Sequence, residues 1–111
     1  MLKLSLITIL LMLSTQSFAT ATPILGKVTM LESSYMPDGV DFFMDTGTAT
    51  CPAGSVMRWV PLRATPELNN ENNKVVYATL LGALASGKKI RFYVNDNDPM
   101  CQGSGLHIVA D

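Results

Sequence analysis

The residue types that usually carry catalysis are sparse in this chain and do not converge. The single histidine, His107, lies between Leu106 and Ile108 in a strand-like segment, which favours a surface position over a role as general base. A general base needs a nucleophile or a substrate proton within hydrogen-bond reach, and the sequence has no GxSxG motif. We therefore predict that the protein is not an enzyme and needs no cofactor.

The carboxylates form two short groups that could supply an acid and a base or bind calcium. Asp38 suits a turn, and Asp41 and Asp45 share one face of a strand that is expected to face water. Asp96 and Asp98 begin like a calcium-binding loop, but the glycine and the bidentate glutamate of that loop do not follow. We predict solvated carboxylates and no metal site.

Three residues are better suited to ligand binding than to catalysis. Tyr35 and Trp59 supply flat aromatic faces that pack against sugars, and Arg58 supplies a forked hydrogen-bond donor. We predict that these three residues contribute to a ligand site. The alternative for Trp59 is a position in the core, which is common for the one tryptophan of a small domain.

The first 19 residues are typical of a secretory signal peptide. Lys3 provides the positive charge, residues 4–13 are apolar, and small residues precede a cleavage site after Ala19. An apolar run of about ten residues is shorter than the roughly 20 that a membrane-spanning helix needs. We expect an exported protein, periplasmic or secreted, with residues 20–111 forming one domain without a membrane span.

Charge and cysteine content narrow the function further. The net charge is −1 and the basic residues are dispersed, whereas a site for single-stranded nucleic acid needs a positive groove with stacking aromatics. No nucleic-acid partner is therefore expected. Cys51 and Cys101 are the only cysteines, and in an exported chain they most simply form one disulfide.

The hydrophobic pattern predicts three strands, one helix and two strands. The strands are expected at residues 25–34, 40–45, 56–62, 89–95 and 105–110. The helix is expected from Asn72 or Asn73 to Ser86, with Gly87 as its left-handed stop. The order β-β-β-α-β-β is that of the five-stranded OB-fold barrel, which usually binds something on its surface. We predict a mainly β protein with this fold, one helix and one disulfide.

Two stripes run along the predicted helix. An apolar stripe at helical spacing is expected to face the core, and it comprises Tyr77, Leu80, Leu81 and Leu84. A second line contains only small residues, Ala78, Gly82 and Ala85. Small side chains let another backbone come close, which fits either close packing of the helix on the barrel or contact between subunits.

One part of the chain resembles a known family. The helix at residues 77–84, the Ser86-Gly87 stop, the strand at residues 90–93 and the segment Gly26-Lys27-Val28 are similar to those of the binding subunit of subtilase cytotoxin and of smaller exported proteins like it. The resemblance implies an OB-fold. In the toxins it also implies a ring of five subunits, whose helices line the centre and whose outer faces bind sialylated glycans.

Three positions depart from that family. Leu25 stands where the toxin subunits have a serine of the sugar pocket, and Val94 stands where they have a tyrosine of the same pocket. Phe43 stands where they have a cysteine in the second strand. We therefore expect the fold to carry over better than the sugar specificity.

Two functions remain open at this point. The leading hypothesis is a non-enzymatic, exported OB-fold module that binds a glycan, as a homo-oligomer or as the partner of a separate effector chain. The alternative is a monomeric periplasmic or envelope-associated protein with a structural role and no sugar site.

Overall fold

The computed structural model describes residues 20–110, which form a mainly β structure with one helix. The elements are β1 (Ala21–Glu32), β2 (Val40–Met44), β3 (Met57–Trp59), α1 (Pro66–Ser86), β4 (Lys89–Asn95) and β5 (Gln102–Ile108). The predicted order of three strands, one helix and two strands is confirmed. The predicted signal peptide, residues 1–19, lies outside the described residues. Among residues 20–110, no helix is long and apolar enough to cross a membrane.

The five strands form one closed ring in the order β1-β2-β3-β5-β4. Strand β1 closes the ring because its first half, residues 21–27, pairs with β4 and its second half, residues 28–32, pairs with β2. A register shift between Val28 and Met30 marks the β1–β2 ladder, and such a bulge increases the local bend and twist of a strand. All neighbouring strands are antiparallel except β3 and β5, which run parallel.

Alternate residues of the strands fill the inside of the ring. The buried strand residues are Ile24, Val28, Val40, Phe42, Met44, Met57, Trp59, Ile90, Phe92 and Val94. Phe42 and Phe92 meet edge to face with their ring centroids 5.0 Å apart, an arrangement that aromatic pairs favour. Gly103 allows this packing, because a Cβ at that position would collide with the Phe92 ring and the Tyr93 carbonyl.

Helix α1 begins earlier than predicted. Thr65 is its N-cap and accepts a hydrogen bond from the Leu68 N–H at 3.2 Å, and Pro66 is the first helical residue. The predicted start at Asn72 or Asn73 is wrong, because a threonine cap followed by proline is a complete start signal about two turns upstream. The predicted stop is confirmed: Gly87 has φ of 72° and donates its N–H to the Ala83 carbonyl at 2.9 Å.

The face of α1 that meets the ring is also offset from the prediction. Its buried residues are Asn73, Val76, Leu80 and Ala83, and the helix packs mainly against β1. Of the predicted apolar stripe, Leu80 is buried and Tyr77 is half-buried, whereas Leu81 and Leu84 are exposed. The polar Asn73 and the small Ala83 obscure the buried face in the sequence, although their spacing is helical.

The last strand starts and ends earlier than predicted. Strand β5 covers Gln102–Ile108, and its first residues pair with Arg58 and Trp59 of β3. Glycine and serine have weak strand propensity, so the segment at residues 102–105 looks like a loop in the sequence. Strand β3 is shorter than predicted, with three residues, Met57–Trp59.

The predicted disulfide is confirmed. Cys51 and Cys101 are joined, with their Cα atoms 5.8 Å apart and a sequence separation of 50. Both residues are buried. The bond ties the loop between β2 and β3 to the residue before β5. Strands β3 and β5 are neighbours in the ring, so the disulfide connects the segments that lead into these two strands.

Removing the disulfide should destabilise the protein strongly. Closing a loop of 50 residues stabilises a fold by about 4 kcal/mol in the chain-entropy model. We expect the variant with both Cys51→Ser and Cys101→Ser to lose about 2–4 kcal/mol of unfolding free energy in urea titrations followed by Trp59 fluorescence. Reduced wild-type protein is the control and should match the variant. A loss below about 1 kcal/mol would contradict a disulfide in solution.

Candidate functional site

A groove of about 500 Å³ opens on the outside of the ring beside the β1–β2 turn. We call it the outer groove. It is lined by Glu32, Tyr35, Asp38, Gly39, Asp41, Phe43, Val56 and Arg58. Two of these residues, Tyr35 and Arg58, are predicted ligand-binding residues, and the structure brings them to the same groove.

Strand register places the polar part of the outer groove. Asp41 of β2 lies opposite Glu32 of β1 on one side and opposite Arg58 of β3 on the other. Residues directly opposite each other project from the same face of a sheet. Since their neighbours Phe42 and Met57 point into the core, the row Glu32–Asp41–Arg58 faces outward.

The apolar part of the groove lies beside this row. Phe43 follows Asp41 by two residues and is half-buried, and Val56 precedes Arg58 by two residues and is exposed. Tyr35 lies in the β1–β2 turn and is 62% exposed. Its carbonyl accepts hydrogen bonds from the Asp38 and Gly39 N–H groups at 2.9 and 3.0 Å, so the turn holds the tyrosine backbone in place.

An ion pair spans the centre of the groove. The Arg58 Nε donates to Asp41 Oδ1 at 2.9 Å, and its Nη2 donates to Oδ2 at 3.2 Å. The hydrogen bonds to Asp41, and then its charge, raise the pKa of Arg58 above its ordinary value. The prediction that Asp41 faces water is wrong: the residue is only 8% exposed, because Arg58 on the neighbouring strand engages both carboxylate oxygens.

Glu32 adds a second negative charge at one end of the row. Its carboxylate accepts a hydrogen bond from the Ser34 N–H at 3.0 Å. Hydrogen bonds from the Ser34 side chain and backbone lower the pKa of Glu32 below its ordinary value. With Asp38 and Asp41, three carboxylates and one guanidinium line the groove, which leaves a local net charge of −2.

Trp59 does not join the groove. Its side chain points inward, is 9% exposed, and donates its indole N–H to the Asn72 Oδ1 at 2.9 Å. Because side chains alternate along a strand, Trp59 and Arg58 project to opposite faces of β3. The structure therefore shows the alternative, a core position for this tryptophan.

Several groove residues were missed in the sequence. Glu32, Phe43 and Val56 carry no motif, and each looks like an ordinary strand residue. Only the register between β1, β2 and β3 brings them together. The turn signal at residues 36–39 predicts that the first two strands form a hairpin, but it does not fix the register that places Glu32 opposite Asp41.

The other candidate residues remain on the surface. His107 is exposed, as predicted, and lies edge to face with Tyr93 at 5.6 Å between ring centroids. Asp96 accepts hydrogen bonds from the hydroxyls of Thr20 and Thr22, which lower its pKa below the ordinary value. Asp98 accepts the Met100 N–H at 2.9 Å within the turn. Over residues 20–110, no group of three or more His, Cys, Asp or Glu residues is arranged to hold a metal ion.

The line of small residues on α1 faces solvent. Ala78, Gly82 and Ala85 are exposed, and within residues 20–110 a Cβ placed on Gly82 would have no atom within 4 Å other than those of its chain neighbours and of the helix's own backbone. Of the two alternatives for this line, close packing on the ring is therefore wrong. Exposed apolar residues lie beside it, and we call the whole set the open helix face: Val75, Ala78, Leu81, Gly82, Leu84 and Ala85.

Comparisons with known proteins do not identify the function. No protein-family model matches this chain, and no curated protein is significantly similar to it in sequence. The function must therefore be inferred from the outer groove and the open helix face.

The ion pair of the groove should respond differently to single and double substitution. Arg58→Met leaves the Asp41 carboxylate buried without its partner, and we expect a loss of about 1–2 kcal/mol in unfolding free energy. Adding Asp41→Leu removes the unpaired buried charge and should restore part of the lost unfolding free energy. Urea unfolding of both variants measures the difference. A double variant less stable than Arg58→Met would contradict this account of the pair.

Proposed function

We propose that the protein is an exported, non-enzymatic binding module of the OB-fold class that recognises a glycan in the outer groove. The observation that carries the proposal is the position of the groove. It is lined by residues of β2 and β3 and by the β1–β2 turn, and OB-folds bind oligosaccharides and oligonucleotides on this same surface. The ring order β1-β2-β3-β5-β4 supports the fold, and the buried disulfide is compatible with export.

The charge of the groove favours a saccharide over a nucleic acid. A single-stranded nucleic acid brings one phosphate per nucleotide and needs a positive groove. In the part of the chain that the structure describes, the outer groove instead presents Glu32, Asp38 and Asp41 against one cation, Arg58. Phosphates along this surface would meet more negative than positive charge.

The side chains of the groove match the chemistry of sugars. The exposed ring of Tyr35 can pack against the apolar face of a pyranose, and the carboxylates accept hydrogen bonds from hydroxyl groups. A guanidinium has five N–H donors, and Asp41 engages two nitrogens of Arg58, so N–H groups remain for a ligand. The ion pair also holds Arg58 in one orientation before binding, which lowers the entropic cost of binding.

Substitution of the groove aromatic should weaken glycan binding. We expect Tyr35→Ala to raise the dissociation constant about two- to tenfold, because an aromatic contact contributes about 0.5–1.5 kcal/mol. A glycan array identifies the ligand, and calorimetry measures its affinity. Leu62→Ala is the control, since Leu62 is exposed and lies outside the groove. If no glycan binds, or if Tyr35→Ala binds as well as wild type, the proposal is wrong.

We also infer that the module self-associates through the open helix face. The chain has no charged residue between Lys74 and Lys88, and Val75 is 64% exposed. Small residues at the centre of the face would let a second helix approach closely, and contiguous exposed apolar surface commonly marks an interaction site. The competing function, a monomeric envelope-associated protein, would leave this surface in water.

A charge placed in the open helix face should separate these two functions. We expect light scattering of the oxidised mature protein to give a multiple of the single-chain mass. Ala78→Glu should reduce it to one chain, because association would bury the new carboxylate without a partner. Ala53→Glu, at an exposed loop position, is the matched control and should keep the assembly. A single-chain mass for wild type would overturn self-association and favour the monomeric alternative.

A further inference from the structure

The negative charges of the outer groove are more available to a ligand than its positive charge. Among residues 20–110, Arg58 is the one cation that lines the groove, and both oxygens of Asp41 already engage it. Glu32 and Asp38 are therefore the charges that an incoming ligand meets without a neutralising partner in the groove lining. The hydrogen bonds from Ser34 lower the pKa of Glu32 and so favour its charged form.

The neighbouring strand positions add no further cation. The outward row continues from Arg58 to Gln102 of β5, which is uncharged, and ends at Glu32 on the β1 side. Across the described strands, the row Glu32–Asp41–Arg58–Gln102 thus contains two negative charges and one positive charge. An anionic group of a ligand would have no unengaged cation of this row to bind.

The aromatic residues of the groove favour the same sign of ligand charge. Tyr35 is largely exposed and Phe43 is half-buried, and both line the groove. The face of an aromatic ring carries partial negative charge and attracts cations. The carboxylates and the rings therefore both attract a positively charged group.

We propose that the outer groove selects saccharides that carry a protonated amine and disfavours saccharides that carry a carboxylate. This inference rests on the proposed glycan function and specifies the ligand class for that same site. Glu32 and Asp38 bind the ammonium group, Tyr35 packs against the sugar ring, and the Arg58–Asp41 pair binds hydroxyl groups. An uncharged sugar keeps the last two interactions and lacks the first.

Three oligosaccharides of similar size test the charge preference. The probes are the trimer of glucosamine, its fully N-acetylated counterpart, and 3′-sialyllactose, which are cationic, neutral and anionic. Calorimetry on the oxidised mature chain at about pH 5.5 keeps the sugar amines protonated and ordinary carboxylates ionised. We expect the glucosamine trimer to bind about tenfold more tightly than its acetylated counterpart, from two exposed ion pairs of modest strength. Sialyllactose should bind most weakly.

Salt and charge-neutralising variants locate the preference in the groove. The advantage of the glucosamine trimer should shrink in about 0.5 M salt, since screening shortens the range of exposed charges. Glu32→Gln and Asp38→Asn should each reduce it about threefold. Glu67→Gln and Asp45→Asn remove the same side-chain charges outside the groove and should leave it unchanged. If the control variants reduced the advantage as much as the groove variants do, the assignment of the charge preference to the groove would be wrong.

The outcomes distinguish this inference from the proposed function on which it rests. If the acetylated trimer or sialyllactose binds as tightly as the glucosamine trimer or more tightly, the charge preference is wrong and glycan binding stands. If none of the three probes binds, the charge preference falls together with glycan binding in the outer groove. Tight binding of the glucosamine trimer alone, lost in the groove variants, supports both.

Discussion

Closure of the strand ring by β1 is the constraint on which the rest of the structure depends. One strand of 12 residues must pair with β4 through its first half and with β2 through its second half. The register shift between Val28 and Met30 lets the strand bend from one partner to the other. A slip of one residue in either ladder would exchange the inward and outward faces. In the β1–β2 ladder, such a slip would turn Glu32 or Asp41 from the outer face toward the core, or turn Phe42 toward solvent.

The same register creates the outer groove. Asp41 is almost fully buried, which is costly for a carboxylate unless it is paired. Arg58 lies directly opposite on β3 and satisfies both oxygens. The pairing of β2 with β3 that completes this part of the ring therefore also assembles the polar centre of the candidate site.

Polar contacts of the helix connect α1 to the parts of the ring that form the groove. Asn72 accepts the indole N–H of Trp59 on β3. Asn73 donates to the carbonyl of Pro37 at 2.7 Å, and Pro37 lies in the turn that carries Tyr35 and Asp38. Within residues 20–110, the Asn73 Oδ1 has no hydrogen-bond partner. A buried amide with one unsatisfied atom costs stability, and the bond from its side-chain nitrogen to Pro37 is what this side chain contributes to the position of the turn.

Strong local signals in the sequence predicted the architecture well, and signals that depend on distant pairing were missed. The order of elements, the Gly87 stop and the Cys51–Cys101 bond rest on local chemistry or on the presence of only two cysteines. The helix start was misplaced because Asn72 and Asn73 are good caps locally, whereas here their side chains serve Trp59 and Pro37. Burial of Asp41 depends on Arg58, 17 positions away, and periodicity carries no sign of that partner.

The two candidate surfaces belong to different elements, which makes their roles separable. The residues that line the outer groove come from strands and turns, and among the described residues α1 contributes none of them. The open helix face is formed by α1 alone. Substitutions on distant surfaces that share no partners usually have additive effects. The contact of Asn73 with Pro37 is the one described hydrogen bond that joins α1 to the groove turn. Any influence of assembly on ligand affinity through hydrogen bonding would therefore pass through Asn73, or through the bond of Asn72 to Trp59 on β3.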